Sequence, residues 1–263
     1  MATERKTYII ANWKMNFTTG ESSLFLHKLA SKIKASRDIQ VILAPSTISL
    51  QALSLQINRR QFKLSAQNFY WRDFGAFTGE VSAQQLHGIV DYAIIGHSER
   101  RYIFNETDKD IRQKVAGALR NNIRPILCIG ETANERADGE TDMVIRDQLI
   151  GGLSEVTKED RDQVIIAYEP VWAISSNRDA KLATPDDVED AIKRVRQHIA
   201  DVYGKKCAST LPVLYGGSVS SSSAGTYLRV DGVDGLLVGG ASLIADEFSS
   251  IVKIAKEVQD ERD

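Results

Sequence analysis

The sequence predicts an α/β protein folded as one closed (β/α)8 barrel across residues 1–263. Three observations carry that reading. Eight short apolar runs rich in Ile, Val and Leu recur along the chain, the composition of parallel strands covered on both faces. Helical segments separate the runs, with no succession of hairpins, so strands and helices alternate and the strands lie parallel. Eight such units in 263 residues match the size of a closed barrel. An open doubly wound sheet also alternates strand and helix. It would favour a Gly-x-Gly-x-x-Gly after the first strand, and none is present.

The expected strands are Tyr8–Trp13, Gln40–Ala44, Lys63–Ala66, Tyr92–Ile95, Arg124–Ile129, Val164–Tyr168, Val213–Tyr215 and Gly235–Val238. The clearest helices lie between and after them. Ser22–Lys34 carries Leu24, Phe25, Leu29 and Ile33 at near-helical spacing. Asp108–Asn121 does the same with Ile111, Val115, Ala118 and Leu119. Pro185–Tyr203 opens on a Thr184-Pro185 start signal and carries Val188, Ile192, Val195 and Ile199. Leu243–Val258 closes the chain. The serine run Ser220–Ser223 is too short for an interdomain linker, so a single domain is expected.

Composition narrows the function classes. With 33 basic and 35 acidic residues the net charge is -2, which gives no global attraction to nucleic acid or to an anionic membrane. No apolar run approaches the ~20 residues of a membrane span. The N-terminal stretch is polar, without an apolar leader core. Of two cysteines, Cys128 sits in an apolar run as a core residue and Cys207 in a polar stretch. A disulfide framework is not indicated, and a reducing, cytoplasmic location is expected.

In such barrels chemistry sits at the C-terminal ends of strands. Glu169 ends the sixth apolar run and is followed by Pro170, Val171 and Trp172, so the ladder stops there and bulky groups can exclude water. Burial of that kind raises a carboxylate toward the pH where it serves as a general base. Solvation is the bland alternative for a strand-end glutamate. Lys14 and Asn12 follow the first strand, where a fixed positive charge and an amide donor would meet a phosphate or a developing oxyanion. His97 follows Gly96 and opens a short helix, Ser98 to Tyr102. A helix N-terminus favours neutral imidazole, which still donates to a carbonyl oxygen. His27, His87 and His198 lie in helical segments without such surroundings and read as structural or surface residues. Glu99 is open between a bond to Lys14 and an ordinary surface position.

Two glycine pairs supply the anion signal. Gly217 with Ser218, and Gly239 with Gly240, each follow a strand and precede a helix start. Bare N–H groups there approach an anion closely, and the helix dipole favours negative charge. Tight βα turns are the alternative reading for either pair. No His/Cys cluster has metal-ligand spacing, so no metal is expected.

The stretches ANWKMN (Ala11–Asn16), GAFTGE (Gly75–Glu80), IGHSERR (Ile95–Arg101), CIGET (Cys128–Thr132), YEPVWAI (Tyr168–Ile174), YGGSV (Tyr215–Val219) and LVGGASL (Leu237–Leu243) together resemble the triosephosphate isomerase family. They run in that family's order over nearly the whole chain. The resemblance implies a TIM barrel, a homodimer, and interconversion of dihydroxyacetone phosphate and D-glyceraldehyde 3-phosphate without a cofactor. It makes Glu169 the base, His97 the electrophile, and Lys14 and Asn12 the groups that hold substrate and stabilise the enediolate. Backbone at Ser175, Ser218, Gly239 and Gly240 would bind the phosphate, with Glu99 and Tyr215 in support. Thr78, on the exposed aromatic-tipped loop Gly75–Glu80, would approach Lys14 of the partner subunit.

One stretch departs from the family pattern. After Ile174 the family reads Gly-Thr-Gly; this chain reads Ser175-Ser176-Asn177-Arg178-Asp179-Ala180, about three residues longer and without either glycine. That segment is the family's lid. Its change keeps open an isomerase for a four-carbon sugar phosphate. A non-catalytic phosphate-metabolite binder is the reading from another class. Asn12, Lys14, His97 and Glu169 together argue against it, because a binder needs no base.

Overall fold

The computed structural model describes residues 6–174 and 181–262. Eight parallel strands close on themselves: β1 (Thr7–Asn12), β2 (Ile39–Ala44), β3 (Lys63–Ala66), β4 (Tyr92–Ile95), β5 (Arg124–Ile129), β6 (Ile165–Tyr168), β7 (Val213–Tyr215) and β8 (Gly235–Val238). The ring follows sequence order, and β8 returns to β1 through the register Tyr8↔Gly235 to Ala11↔Val238. The expected single (β/α)8 barrel is what forms.

Eleven helices among the described residues cover the barrel or top it: α1 (Thr19–Lys32), α2 (Thr47–Ser54), α3 (Ala83–Leu86), α4 (Ser98–Tyr102), α5 (Asp108–Arg120), α6 (Ala133–Ala137), α7 (Thr141–Leu153), α8 (Pro185–Tyr203), α9 (Lys205–Thr210), α10 (Ser221–Leu228) and α11 (Ala245–Asp260). Capping boxes start α1, α5 and α8 at Thr18, Thr107 and Thr184, each threonine answered by an acidic side chain at the third helical position. Leu243, expected to begin the last helix, belongs instead to a short 3-10 turn, Gly240–Leu243, that precedes α11.

Strand side chains alternate between two cores. Tyr8, Ile10, Ile42, Ile94, Ile126, Cys128, Ile165, Ala167, Leu214 and Leu237 fill the barrel. Their neighbours Ile9, Ala11, Val41, Leu43, Ile95, Leu127, Ile166 and Leu236 pack outward beneath the helices. The period-two exchange between two dry faces explains why these strands read as unbroken apolar runs. Cys128 is the expected core residue. Cys207 is half-buried on α9.

Four expected strand ends move by one residue: β1 and β2 begin one earlier, at Thr7 and Ile39, β1 also ends one earlier, and β6 begins one later. Trp13 lies beyond β1, because Lys14 after it turns the chain with φ +51°, outside any strand. Val164 precedes β6 as the cap of a 3-10 turn.

Candidate active site

The C-terminal ends of β1, β4, β6, β7 and β8 open into one cavity of about 350 Å³. Asn12, Lys14, His97, Glu169, Ser218 and Gly239 are among the groups that line it. Five separate strands thus bring together residues spread over most of the chain.

Glu169 follows β6 directly, and its N–H donates to the Ile129 carbonyl across the barrel rim (2.7 Å). The residue is 2% exposed. Its Oε1 lies 3.2 Å from His97 Nε2, and its Oε2 accepts the Ser98 N–H at 3.3 Å. Gly216 makes room for it: a Cβ there would stand 2.8 Å from Glu169 Cγ. The expected buried carboxylate is therefore in place.

His97 caps α4, with its Nδ1 accepting the Glu99 N–H at 3.2 Å. A nitrogen that accepts an N–H bond presents its lone pair, so the proton sits on Nε2, the nitrogen that faces the cavity and Glu169. His198, by contrast, sits 3.1 Å from Asp142 on the outer helices, and His87 lies just past α3 with Nδ1 at the Asn121 carbonyl (2.8 Å). His27 is exposed on α1. These three belong to structure and surface; His87 is outside the helix that was expected to hold it.

Lys14 holds a left-handed backbone conformation, rare for a residue with a side chain. Its N–H donates to Asn12 Oδ1 (3.0 Å) and its carbonyl accepts from Gln67 Nε2 (2.8 Å). Asn12 thus spends its oxygen on the turn and lines the cavity. Lys14 Nζ lies 2.6 Å from Glu99 Oε1, which settles Glu99 as its partner. Gln67 also donates to the Ala44 carbonyl (2.8 Å), tying Lys14 to β2. Nothing in the sequence singles out Gln67 beyond its place after β3.

The two glycine arms differ. Gly240 has open space where a side chain would stand, so its backbone faces the cavity. Ser218 donates both its N–H (3.0 Å) and its Oγ–H (2.7 Å) to the Ala173 carbonyl. Its expected backbone donor is therefore engaged with the wall beside Glu169. Tyr215 is buried at the end of β7, stacked on Tyr227 with ring centroids 4.4 Å apart. Burial pushes its phenol upward. Ser175 lies outside the described residues.

Glu131 is the residue that sequence reading missed. It follows β5, is fully buried, and accepts from Tyr168 Oη (3.1 Å) and Trp172 Nε1 (2.8 Å). Its own carbonyl accepts the Val171 N–H at 3.0 Å. Burial raises its carboxyl above the usual range, against those hydrogen bonds. It anchors Val171 and Trp172, which follow Glu169. Cys128 lies beneath the site, its thiol pushed well up by burial and then by the Glu169 charge.

The loop expected to reach a second subunit departs in detail. Phe77 is not a protruding tip. It packs back on Tyr70 (4.5 Å between centroids) beneath the Arg72 guanidinium. Phe74, just before the loop, is the exposed aromatic, at 83%, and Thr78 is exposed as well.

The model of the family described as triosephosphate isomerase matches residues 7–255, from the first strand into the last helix. The chain belongs to the triosephosphate isomerase family. Proteins named triosephosphate isomerase from Clostridium tetani (strain Massachusetts / E88) and Chloroherpeton thalassium (strain ATCC 35110 / GB-78) are each 41% identical to it. The first alignment covers 94% of this chain and 96% of the relative, the second 96% and 100%. One from Clostridium perfringens (strain SM101 / Type A) is 39% identical over 94% of this chain and 99% of its own. Membership makes the protein an isomerase on a TIM barrel. Among the described residues no helix is long and apolar enough to cross a membrane.

Proposed function

We propose that this protein interconverts dihydroxyacetone phosphate and D-glyceraldehyde 3-phosphate through an enediolate, with Glu169 as base. The 3.2 Å approach of Glu169 Oε1 to His97 Nε2 within a cavity that also holds Lys14 carries the reading. A substrate carbonyl that takes the Nε2–H bond releases the carboxylate to the neighbouring C–H. Glu169 takes that proton, the C–H electrons move into the C–C bond, and the carbonyl oxygen gathers the charge. Nε2–H and the Lys14 ammonium meet that oxygen. His97 then carries the hydroxyl proton of the first carbon to the oxyanion on the second, and return of the Glu169 proton to that second carbon completes the isomerisation.

The phosphate is assigned to backbone at Gly239 and Gly240, with Ser218 exchanging its bond to Ala173 for one to the anion. Asn12 donates to the substrate through its amide. Glu99 holds Lys14, and Tyr215 supports the β7 arm. The family's two-fold dimer is assigned to the Met15 side of Lys14, next to this cavity. A second hollow of about 320 Å³ there is lined by Lys14, Met15, Gln67, Glu99 and Phe104, with Met15 96% exposed. Thr78 of one subunit would enter it in the other. Two free cysteines fit a cytoplasmic location.

A coupled assay on glyceraldehyde 3-phosphate, with a four-carbon aldose phosphate alongside, tests the reaction. Glu169→Gln keeps the size and removes the base, and turnover should fall by ~10²–10⁴-fold. A variant retaining half of the wild-type rate would remove Glu169 from the role. Light scattering should give about twice 29.1 kDa. A fully active monomer would remove the dimer.

A further inference from the structure

We propose that Glu247 is a positioning residue for the phosphate site: a carboxylate brace that fixes the β7 arm against the β8 arm. The inference rests on the reading of that site given above. Ser218 belongs to the arm between β7 and α10, and Gly239 and Gly240 to the arm between β8 and α11. The arms leave neighbouring strands, β7 pairing with β8 through Tyr215 and Leu236. At the far ends the link is Glu247, in the first turn of α11. Its Oε1 accepts the Ser221 N–H at 2.6 Å and its Oε2 accepts the Ser221 Oγ–H at 3.0 Å. Ser221 is the first residue of α10.

Both helices favour a negative charge at this place. The carboxylate takes an N–H at the start of α10 and sits in the opening turn of α11, so both dipoles hold it. A bidentate, charge-assisted contact fixes orientation as well as distance. The consequence falls on the cavity. Ser220, Ser222 and Ser223 line it, while Ser221 turns away toward Glu247. The loop between Tyr215 and Ser221 is thereby strung between two fixed points, and Ser218 lies at its middle. Donors from two arms grip one anion well only when their separation is set beforehand, since ordering them on binding costs affinity.

Two variants cut the brace from opposite sides. Glu247→Ala removes the acceptor. Ser221→Pro removes the donor N–H and the hydroxyl together. Proline suits the first position of a helix, and Ser220 before it is already extended at φ -130°, ψ 171°, so α10 is preserved. Glu247→Gln keeps one acceptor and should rescue part of the effect. Expected in both cutting variants is a parallel rise of about three- to tenfold in KM for glyceraldehyde 3-phosphate and in Kd for inorganic phosphate, the size of a lost cap. The kcat should stay within about twofold, because Glu169, His97 and Lys14 are untouched. The phosphate Kd is measured by titration calorimetry and needs no turnover. Unchanged KM and phosphate Kd in Ser221→Pro would overturn the brace, and so would lowered thermal stability with unchanged constants. A wild type that binds phosphate yet does not isomerise triose phosphates would overturn the functional reading instead.

Discussion

Gly217 sits where an added Cβ would lie 2.1 Å from the hydroxyl oxygen of Tyr215, two residues upstream. The arm after β7 therefore folds back over the ring of the strand's own last residue. That ring is fully buried and held by Tyr227, so it has nowhere to retreat. The glycine is required by this close approach, apart from any use of its N–H toward an anion. Gly217→Ala should destabilise the fold by about 1–3 kcal/mol, the usual cost of overpacking. It should also raise KM, because Ser218 is displaced with it. Urea unfolding beside steady-state kinetics checks both. Wild-type values in the two measurements would show that the ring can move.

The buried Glu131 carboxyl predicts a pH dependence of stability. Burial raises it in the folded protein above its unfolded value, so the folded state holds the proton more tightly. Its contribution is complete below the unfolded value, ~4.3, and is lost as pH rises through the folded one. Glu131→Gln cannot ionise and lacks this loss. The difference in unfolding free energy, wild type minus Gln variant, should therefore fall as pH is raised from 4.5 toward 8. Urea titrations at several pH values read it directly. A difference that stays flat or climbs would show that the hydrogen bonds from Tyr168 and Trp172 outweigh burial.

The barrel was legible because strands dry on both faces leave continuous apolar runs. The proposed site was legible because Asn12 ends such a run, and His97 and Glu169 each stand just past one. What escaped depends on side chains meeting across the fold. Glu131 gains its meaning from Tyr168 and Trp172, 37 and 41 residues away. The engaged donors of Ser218 depend on Ala173, 45 residues earlier. Phe77 reads as a protruding tip until Tyr70 and Arg72 are seen to cover it. Trp13 continues the apolar pattern of β1, and only the left-handed turn at Lys14 ends the strand. Local pattern places elements; it does not pair residues separated by whole βα units.

Lys114 and Glu106 form a buried ion pair, their side chains 6% and 4% exposed. Lys114 also donates to Asn68 Oδ1 at 2.7 Å. Burial and then the nearby Arg100 charge push the ammonium down to about 7, with the Glu80 charge pulling the other way. Glu106→Gln should leave the buried Lys114 amine without its carboxylate partner and cost about 3–5 kcal/mol near pH 7. In that variant the Lys114 value drops further below its unfolded one, so the unfolded chain binds the extra proton. Stability of the variant should then recover as pH rises from 7 toward 10. Denaturant curves at pH 7 and pH 9.5 give the comparison. A variant as stable as wild type at pH 7 would mean that solvent reaches the pair.

The two thiols should differ sharply in reactivity. Cys128 is wholly buried on β5 beneath Glu169, and burial together with that negative charge raises its thiol well above the ordinary range. The thiolate is the reactive form, so both access and ionisation protect it. Cys207 is half-buried on α9, and burial raises its thiol as well, with the Arg161 charge pulling the other way. Iodoacetamide at pH 8 should therefore modify one thiol per chain in the native protein, mapping to Cys207. The second should react only when the barrel opens. Its rate in increasing urea should follow global unfolding, because Cys128 packs among the barrel residues Ile126, Ile165 and Ala167. Intact-mass analysis with peptide mapping reads the order of labelling. Native labelling of Cys128 at the pace of Cys207 would mean that the barrel floor under Glu169 opens locally, without unfolding of the whole.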